Sequence, residues 1–204
     1  MESKEKNTKE KILEEALKLF AQSGYMGTSM NDIASKLGVT KAALYKHYKS
    51  KQEILDSIID KMNELDIERV KLYEMPEGDL EKVTAEYKET AFDKIKQFIK
   101  VQFLHWTEEE FSSCFRKMLT LEQYREPQMA QLYQNYLASG PLAYMEALFS
   151  GMLGDAEKAR QTALDFYGPI FLLYSIYDGA EDKSYVIKLL EEHMDQFLQE
   201  MQTR

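Results

Sequence analysis

Apolar residues recur along this chain at helical spacing, and no stretch alternates as a half-buried strand would. Ile12, Ala16, Leu19 and Phe20 form one face of a first helix that stops at Ser23-Gly24. Two short helical signals follow: Ile33, Ala34 and Leu37, then Val39, Ala43, Leu44 and Tyr48, all assigned to a core. A longer stripe runs through Ile54, Leu55, Ile58, Ile59, Met62 and Leu65. Met75-Pro76-Glu77-Gly78 is the clearest break; the polar segment 79–90 either extends the preceding helix after a kink or forms its own. Beyond it the helical pattern resumes through Phe92, Ile95, Phe98 and Phe103, then through Phe111, Phe115 and Leu119, then through Met129, Leu132 and Tyr136. The two final stripes are Ala159, Ala163, Phe166, Ile170, Leu173, Tyr177 and Val186, Leu190, Met194, Phe197. The pattern predicts an all-α protein.

Capping chemistry places the boundaries. Asn7 with Glu10 predicts the first helix start, leaving residues 1–6 frayed outside it. Ser29 with Asp32 and Ser50 with Glu53 read as capping boxes, and Thr40 as a further N-cap. Gly38 ends a helix where a left-handed backbone costs least. Pro127 suits a first helical turn, Gly140-Pro141 predicts a kink or split, and Asp155 caps the penultimate helix. Gly168-Pro169 should bend that helix, because proline removes a main-chain donor.

Ala34 lies four residues before Gly38, and Leu44 follows six residues after it. A small residue, a glycine and an apolar residue at this spacing are those of a helix-turn-helix, whose second helix enters the major groove. Charge points the same way. No acidic residue stands between Asp32 and Glu53, while Lys36, Lys41, Lys46, Lys49, Lys51 and His47 do. The first 52 residues hold ten lysines against six acids, +4, and the remainder carries −13, for −9 in all. A basic head on an acidic body suits a polyanion partner met only by the head. In this geometry Thr40 and Lys41 enter the groove first, and the Ala42 methyl can meet a thymine methyl.

The segment from Ile12 to Lys51 resembles the DNA-binding domain of the tetracycline-repressor (TetR) family of bacterial regulators. The resemblance rests on Ile12-Leu13, Ala16, Leu19-Phe20, Gly24-Tyr25, Gly27-Thr28-Ser29-Met30, Asp32-Ile33-Ala34, Leu37-Gly38-Val39, Lys41, Leu44-Tyr45, His47-Tyr48 and Ser50-Lys51. It covers about the first quarter of the chain. It implies a three-helix helix-turn-helix domain over 1–50 and a larger helical effector-binding and dimerisation domain over 51–204. It also implies backbone contacts from Tyr45, His47 and Lys51, with Thr28 and Ser29 reaching phosphates from a helix N-terminus. The partners implied are double-stranded operator DNA, a second copy of the chain and a small-molecule effector.

The body offers candidates for the last two roles. Its middle helices are rich in aromatic and sulfur side chains, and Phe103, Trp106, Cys114, Met118, Tyr133, Phe171 and Tyr174 are the candidate effector wall. Phe166, Ile170, Leu173, Tyr177, Val186, Leu190 and Phe197 are the candidate dimer seam, since two consecutive striped helices can pair with their symmetry mates. The alternative for both sets is an intrachain core.

Other chemistries find little support. The single cysteine, Cys114, excludes an intrachain disulfide and fits a reducing compartment better as a small apolar residue than as a redox sensor. The three histidines, His47, His105 and His193, are far apart, and no ligand spacing predicts a metal or cofactor. There is no glycine-rich phosphate loop and no local nucleophile motif, so an enzyme is not expected. The N-terminus lacks an apolar signal core, and the longest apolar run is too short to span a bilayer, so a cytoplasmic location without membrane association is expected.

Overall fold

The computed structural model describes residues 2–203, with side chains from residue 7 to residue 201. Among the described residues there are eleven helices and no strand: α1 (Glu2–Ser23), α2 (Met30–Lys36), α3 (Lys41–His47), α4 (Lys51–Leu72), α5 (Leu80–Glu89), α6 (Phe92–Thr107), α7 (Glu110–Glu122), α8 (Pro127–Leu137), α9 (Ser139–Leu153), α10 (Ala156–Gly179) and α11 (Lys183–Thr203).

Most boundaries follow the capping chemistry. Asp32 N–H donates to Ser29 Oγ at 3.2 Å while Ser29 N–H donates to Asp32 Oδ2 at 2.8 Å, completing the first capping box. Gly38 has φ +67° after α2, Thr40 Oγ1 accepts from Ala43 N–H, and Asp155 Oδ1 accepts from two N–H groups of α10. At α4, Glu53 N–H donates to Ser50 Oγ, but the Glu53 carboxylate accepts from Lys49 N–H rather than closing the box on Ser50. Segment 79–90 is a separate helix, α5, because Asp79 caps it through Lys82 N–H at 2.9 Å. Pro141 falls in the first turn of α9, where its missing N–H is harmless, and α10 continues through Pro169.

Two expectations are corrected. α1 begins at Glu2, so Asn7 lies inside it and caps nothing; the Glu- and Lys-rich run ahead of Asn7 has high helix propensity. Met1 lies outside the described residues. Val39 is not a core residue but is 44% exposed.

The chain divides into two compact units. The first comprises the chain up to Arg69 together with Glu110–Tyr133. Its core is built from Ile12, Leu13, Ala16, Leu17 and Phe20 of α1, Ile33 and Leu44 of the short helices, Ile54, Leu55 and Ile58 of α4, and Phe115, Met118 and Leu119 of α7. α1 packs along α7 in this unit. Full burial of each Leu, Ile or Phe is worth about 1.5–3 kcal/mol, so α7 is as much a wall of this core as α4 is.

The second unit comprises Val70–Glu109 and the chain from Gln134 onward. α10 packs against α9, α11 and α6. Phe149, Phe166 and Phe197 form a three-ring cluster with centroids 5.0–5.9 Å apart. Phe103 stacks on Tyr174 at 5.2 Å and meets Tyr177 edge-on at 5.5 Å. Lys96–Asp195 and Lys100–Glu191 pair α6 with α11 at the surface.

Candidate nucleic-acid interface

The helix-turn-helix is assembled from its buried side. Ile33, Ala34 and Leu44 are at most 2% exposed, and they fix α2 and α3 onto the core of the first unit. That leaves one face of α3 outward. Thr40, Lys41, Ala42, Tyr45 and Lys46 are all exposed. The Lys41 ammonium lies 5.8 Å from the Tyr45 ring centroid, so the cation and the ring occupy one patch. No acidic side chain belongs to α3, and its last turn carries Lys46 and His47. Ser29 is exposed at the N-terminus of α2, where free N–H groups and the helix dipole favour an anion.

Three candidates take other positions. The Thr28 side chain is buried and its hydroxyl donates to the Gly24 carbonyl at 2.9 Å, so it serves the turn between α1 and α2. His47 is half-buried, and its Nδ1 has no hydrogen-bond partner among the described residues. Lys51 points inward: its ammonium donates to the carbonyls of Tyr25 at 2.6 Å and Thr28 at 2.8 Å, and lies 4.2 Å from the Tyr25 ring centroid. Burial pulls its pKa below the ordinary lysine value, and the Glu122 carboxylate acts in the opposite sense. Sequence reasoning also missed exposed Val39, which sits in the turn just before Thr40 and adds an apolar surface to the α3 face.

The candidate effector wall divides between the two units. Cys114, Met118 and Tyr133 belong to the first, and Phe103, Trp106, Phe171 and Tyr174 to the second. Met118 is fully buried, Cys114 is half-buried with its thiol pKa raised by burial, and Phe103 and Tyr174 are closed in their stack. Phe171 is 39% exposed on the outer face of α10.

The candidate dimer seam is buried within the single chain. Phe166, Ile170, Leu173, Tyr177, Val186, Leu190 and Phe197 are each no more than 7% exposed within the single chain, because α10 and α11 turn these stripes toward each other and toward α6 and α9. The apolar residues α10 leaves outward are Leu164, Phe171, Leu172 and Ile176, with Tyr185 at the start of α11.

No group of His, Cys, Asp and Glu among the described residues could hold a metal ion. No helix among them is long and apolar enough to cross a membrane.

Residues 12–58 match a family profile described as bacterial regulatory proteins, tetR family. The chain is 46% identical over 46 residues to the biofilm operon icaADBC HTH-type negative transcriptional regulator IcaR of Staphylococcus epidermidis, covering 22% of this chain and 25% of that protein. The counterpart of the same name from Staphylococcus aureus is 41% identical over 51 residues, covering 25% of this chain and 27% of that protein. The chain thus matches about a quarter of the length of these curated relatives. The fold extends further. A transcriptional regulator from Aquifex aeolicus superposes with a TM-score of 0.63 at 21% identity, covering 93% of this chain and 98% of that one. A TetR-family transcriptional regulator from Bordetella parapertussis gives 0.62 at 22% identity, covering 94% of each chain.

Proposed function

We propose that the chain, whose residues 12–58 match the tetR family of bacterial regulatory proteins, is a homodimeric transcriptional repressor that binds a palindromic operator in double-stranded DNA. Residues 1–50 are the DNA-binding domain, and residues 51–204 the helical effector-binding and dimerisation domain. The observation that carries the reading is α3: a capped, acid-free helix whose outward face is Thr40, Lys41, Ala42, Tyr45 and Lys46. Thr40, Lys41 and Ala42 read base edges, while Tyr45, His47 and the N-terminus of α2 at Ser29 meet the backbone. Thr28 and Lys51 support this face from within the head. Repression is favoured because the relatives are named as a negative transcriptional regulator.

The dimer forms through the outward face of α10, where Leu164, Phe171, Leu172 and Ile176 lie open. Each head then meets one half-site, and half-sites lie about one helical turn apart. Release by a small apolar or aromatic effector is supported by the aromatic and sulfur-rich body, with Phe103, Trp106 and Tyr174 in its second unit. A ligand shifts the equilibrium only by its differential affinity for the bound and released arrangements. Control without an effector, or by a protein partner, is favoured by one specific observation: the Phe103–Tyr174 stack is closed, at 1% and 8% exposure.

The test is fluorescence anisotropy with the full-length chain, on a duplex enriched from random DNA by the protein itself and on a scrambled control, across a salt series. The expected result is tight, selective binding that weakens steeply with salt. Equal, weak binding to both duplexes overturns the reading.

A further inference from the structure

Glu122, the last residue of α7, has no solvent exposure although it carries a carboxylate. Its Oε1 accepts from Arg125 Nη1 at 3.2 Å, and its Oε2 is buried with no hydrogen-bond partner among the described residues. Burying a carboxylate with one oxygen unsatisfied costs stability, so the position calls for a compensating role. Its neighbour supplies one. Gly24, at φ +81°, ends α1, and a Cβ built there would stand 2.0 Å from Glu122 Oε1. The turn leading from α1 into α2 therefore lies directly against the end of α7. The same turn is gripped by the Lys51 ammonium, through the carbonyls of Tyr25 and Thr28.

We propose that Glu122 is a positioning residue for DNA binding: its carboxylate on α7 and the Lys51 ammonium on α4 together fix the 24–28 turn. The proposal rests on the DNA-binding reading above. The turn ends one residue before Ser29, the cap of α2, so a displacement of the turn displaces the α2 N-terminus and the helix pair behind it. A Cβ at Gly24 would push the Glu122 carboxylate aside, and glycine also takes the positive φ with least strain. The charge on Lys51 is felt by Glu122, which acts to raise the lysine pKa against the burial that lowers it. α7 thereby acts on the helix-turn-helix from within the same compact unit, through a contact separate from the α4 backbone.

The test uses the full-length chain, the duplex that the wild-type protein enriches from random DNA, and the variants Glu122→Gln, Lys51→Met and their combination. Affinity is measured across a salt series on samples whose helix content matches the wild type. Glu122→Gln is expected to weaken selective binding at least tenfold while leaving the salt slope unchanged, because it removes no phosphate contact. The double variant should lose little more than the larger single loss, since the two groups act on one turn. Wild-type affinity in Glu122→Gln, or fully additive losses, overturns the assignment. Glu122→Asp, which keeps the charge and withdraws it from Gly24, replaces the Gln variant if that one does not fold, with the same loss expected and wild-type affinity again overturning. If the wild-type protein enriches no duplex, the regulatory reading itself fails; if it does and the Glu122 variants match it, this assignment alone fails.

Discussion

The ammonium nitrogen of Lys51 sits 2.6 Å from the main-chain oxygen of Tyr25 and 4.2 Å from the centroid of the same residue's ring. A second donation reaches the Thr28 carbonyl at 2.8 Å, and the Tyr25 hydroxyl donates in turn to Gln52 Oε1 at 3.1 Å. A cation at the first turn of a helix is where a phosphate contact is expected from sequence. Here the charge is spent on two carbonyls that close the α1–α2 turn onto α4. Lys51→Met is expected to lower unfolding stability by roughly 1–3 kcal/mol, the range for losing hydrogen bonds from a charged donor. The check is urea denaturation alongside the salt dependence of DNA affinity. An unchanged salt slope is the expected outcome; a slope smaller by about 1 assigns Lys51 to a phosphate instead.

The outward face of α3 makes a different prediction. Tyr45 and Lys41 share one exposed patch outside the buried core, so replacing either should leave the fold intact. Lys41→Ala is expected to weaken binding to all duplexes and to reduce the salt slope by about 1 if the ammonium meets a phosphate, or to relax selectivity at one base pair if it meets a base edge. Tyr45→Ala should weaken selective and non-selective binding alike, as a backbone contact does. Anisotropy on the enriched and scrambled duplexes separates these outcomes, and normal binding by both variants removes α3 from the interface.

The local signals of this chain were legible, and the long-range ones were not. Ser29, Thr40 and Asp155 cap the helices that follow them because an Asx or hydroxyl cap depends on three or four consecutive residues, whereas the equivalent cap at Asp79 was not read. The stripes on α10 and α11 were assigned to a dimer seam because periodicity does not say what covers a face; within the single chain these residues are already buried. Lys51 was assigned outward because its partners, Tyr25 and Thr28, lie more than one helix earlier. Glu122 gave no signal at all: an acid at a helix C-terminus looks unfavourable locally, and its reason is a glycine far away in sequence. The outward residues of α3 were legible because the helix-turn-helix fixes them by spacing from Gly38.

The capping box of α2 predicts a pH dependence. The Ser29 hydroxyl, and after it the Ser29 N–H, hold the Asp32 carboxyl below its ordinary value of 3.8. A carboxyl depressed in the folded state contributes stability above its unfolded pKa, and that contribution is lost as pH falls through the folded value. Stability of the head should therefore fall below about pH 4, and Asp32→Asn should flatten that limb. Urea midpoints between pH 6 and pH 3 for the wild type and the Asn variant test this; identical acid limbs would remove Asp32 from it. Thr40→Ala, which removes the α3 cap, should cost about 1 kcal/mol with no such pH signature.

The outward apolar residues of α10 carry the last prediction. Leu164, Phe171, Leu172 and Ile176 fall at i, i+7, i+8 and i+12, a single stripe on the side of α10 away from its intrachain core, and Leu172 is 59% exposed. A stripe of this kind on an otherwise acidic body is costly to leave in water and is suited to a second copy of itself across a two-fold axis. Leu172→Glu places two carboxylates near that axis without touching the buried stripe of Phe166, Ile170 and Leu173. The variant is expected to keep its helix content and to sediment as a monomer at micromolar concentration, where the wild type sediments as a dimer. Its selective DNA binding should fall more than tenfold, because a single head gains only one half-site and loses the effective concentration that the partner head provides. Sedimentation equilibrium and anisotropy on the same preparations decide it: a monomeric wild type removes the seam, while a variant that remains dimeric moves the seam to another face.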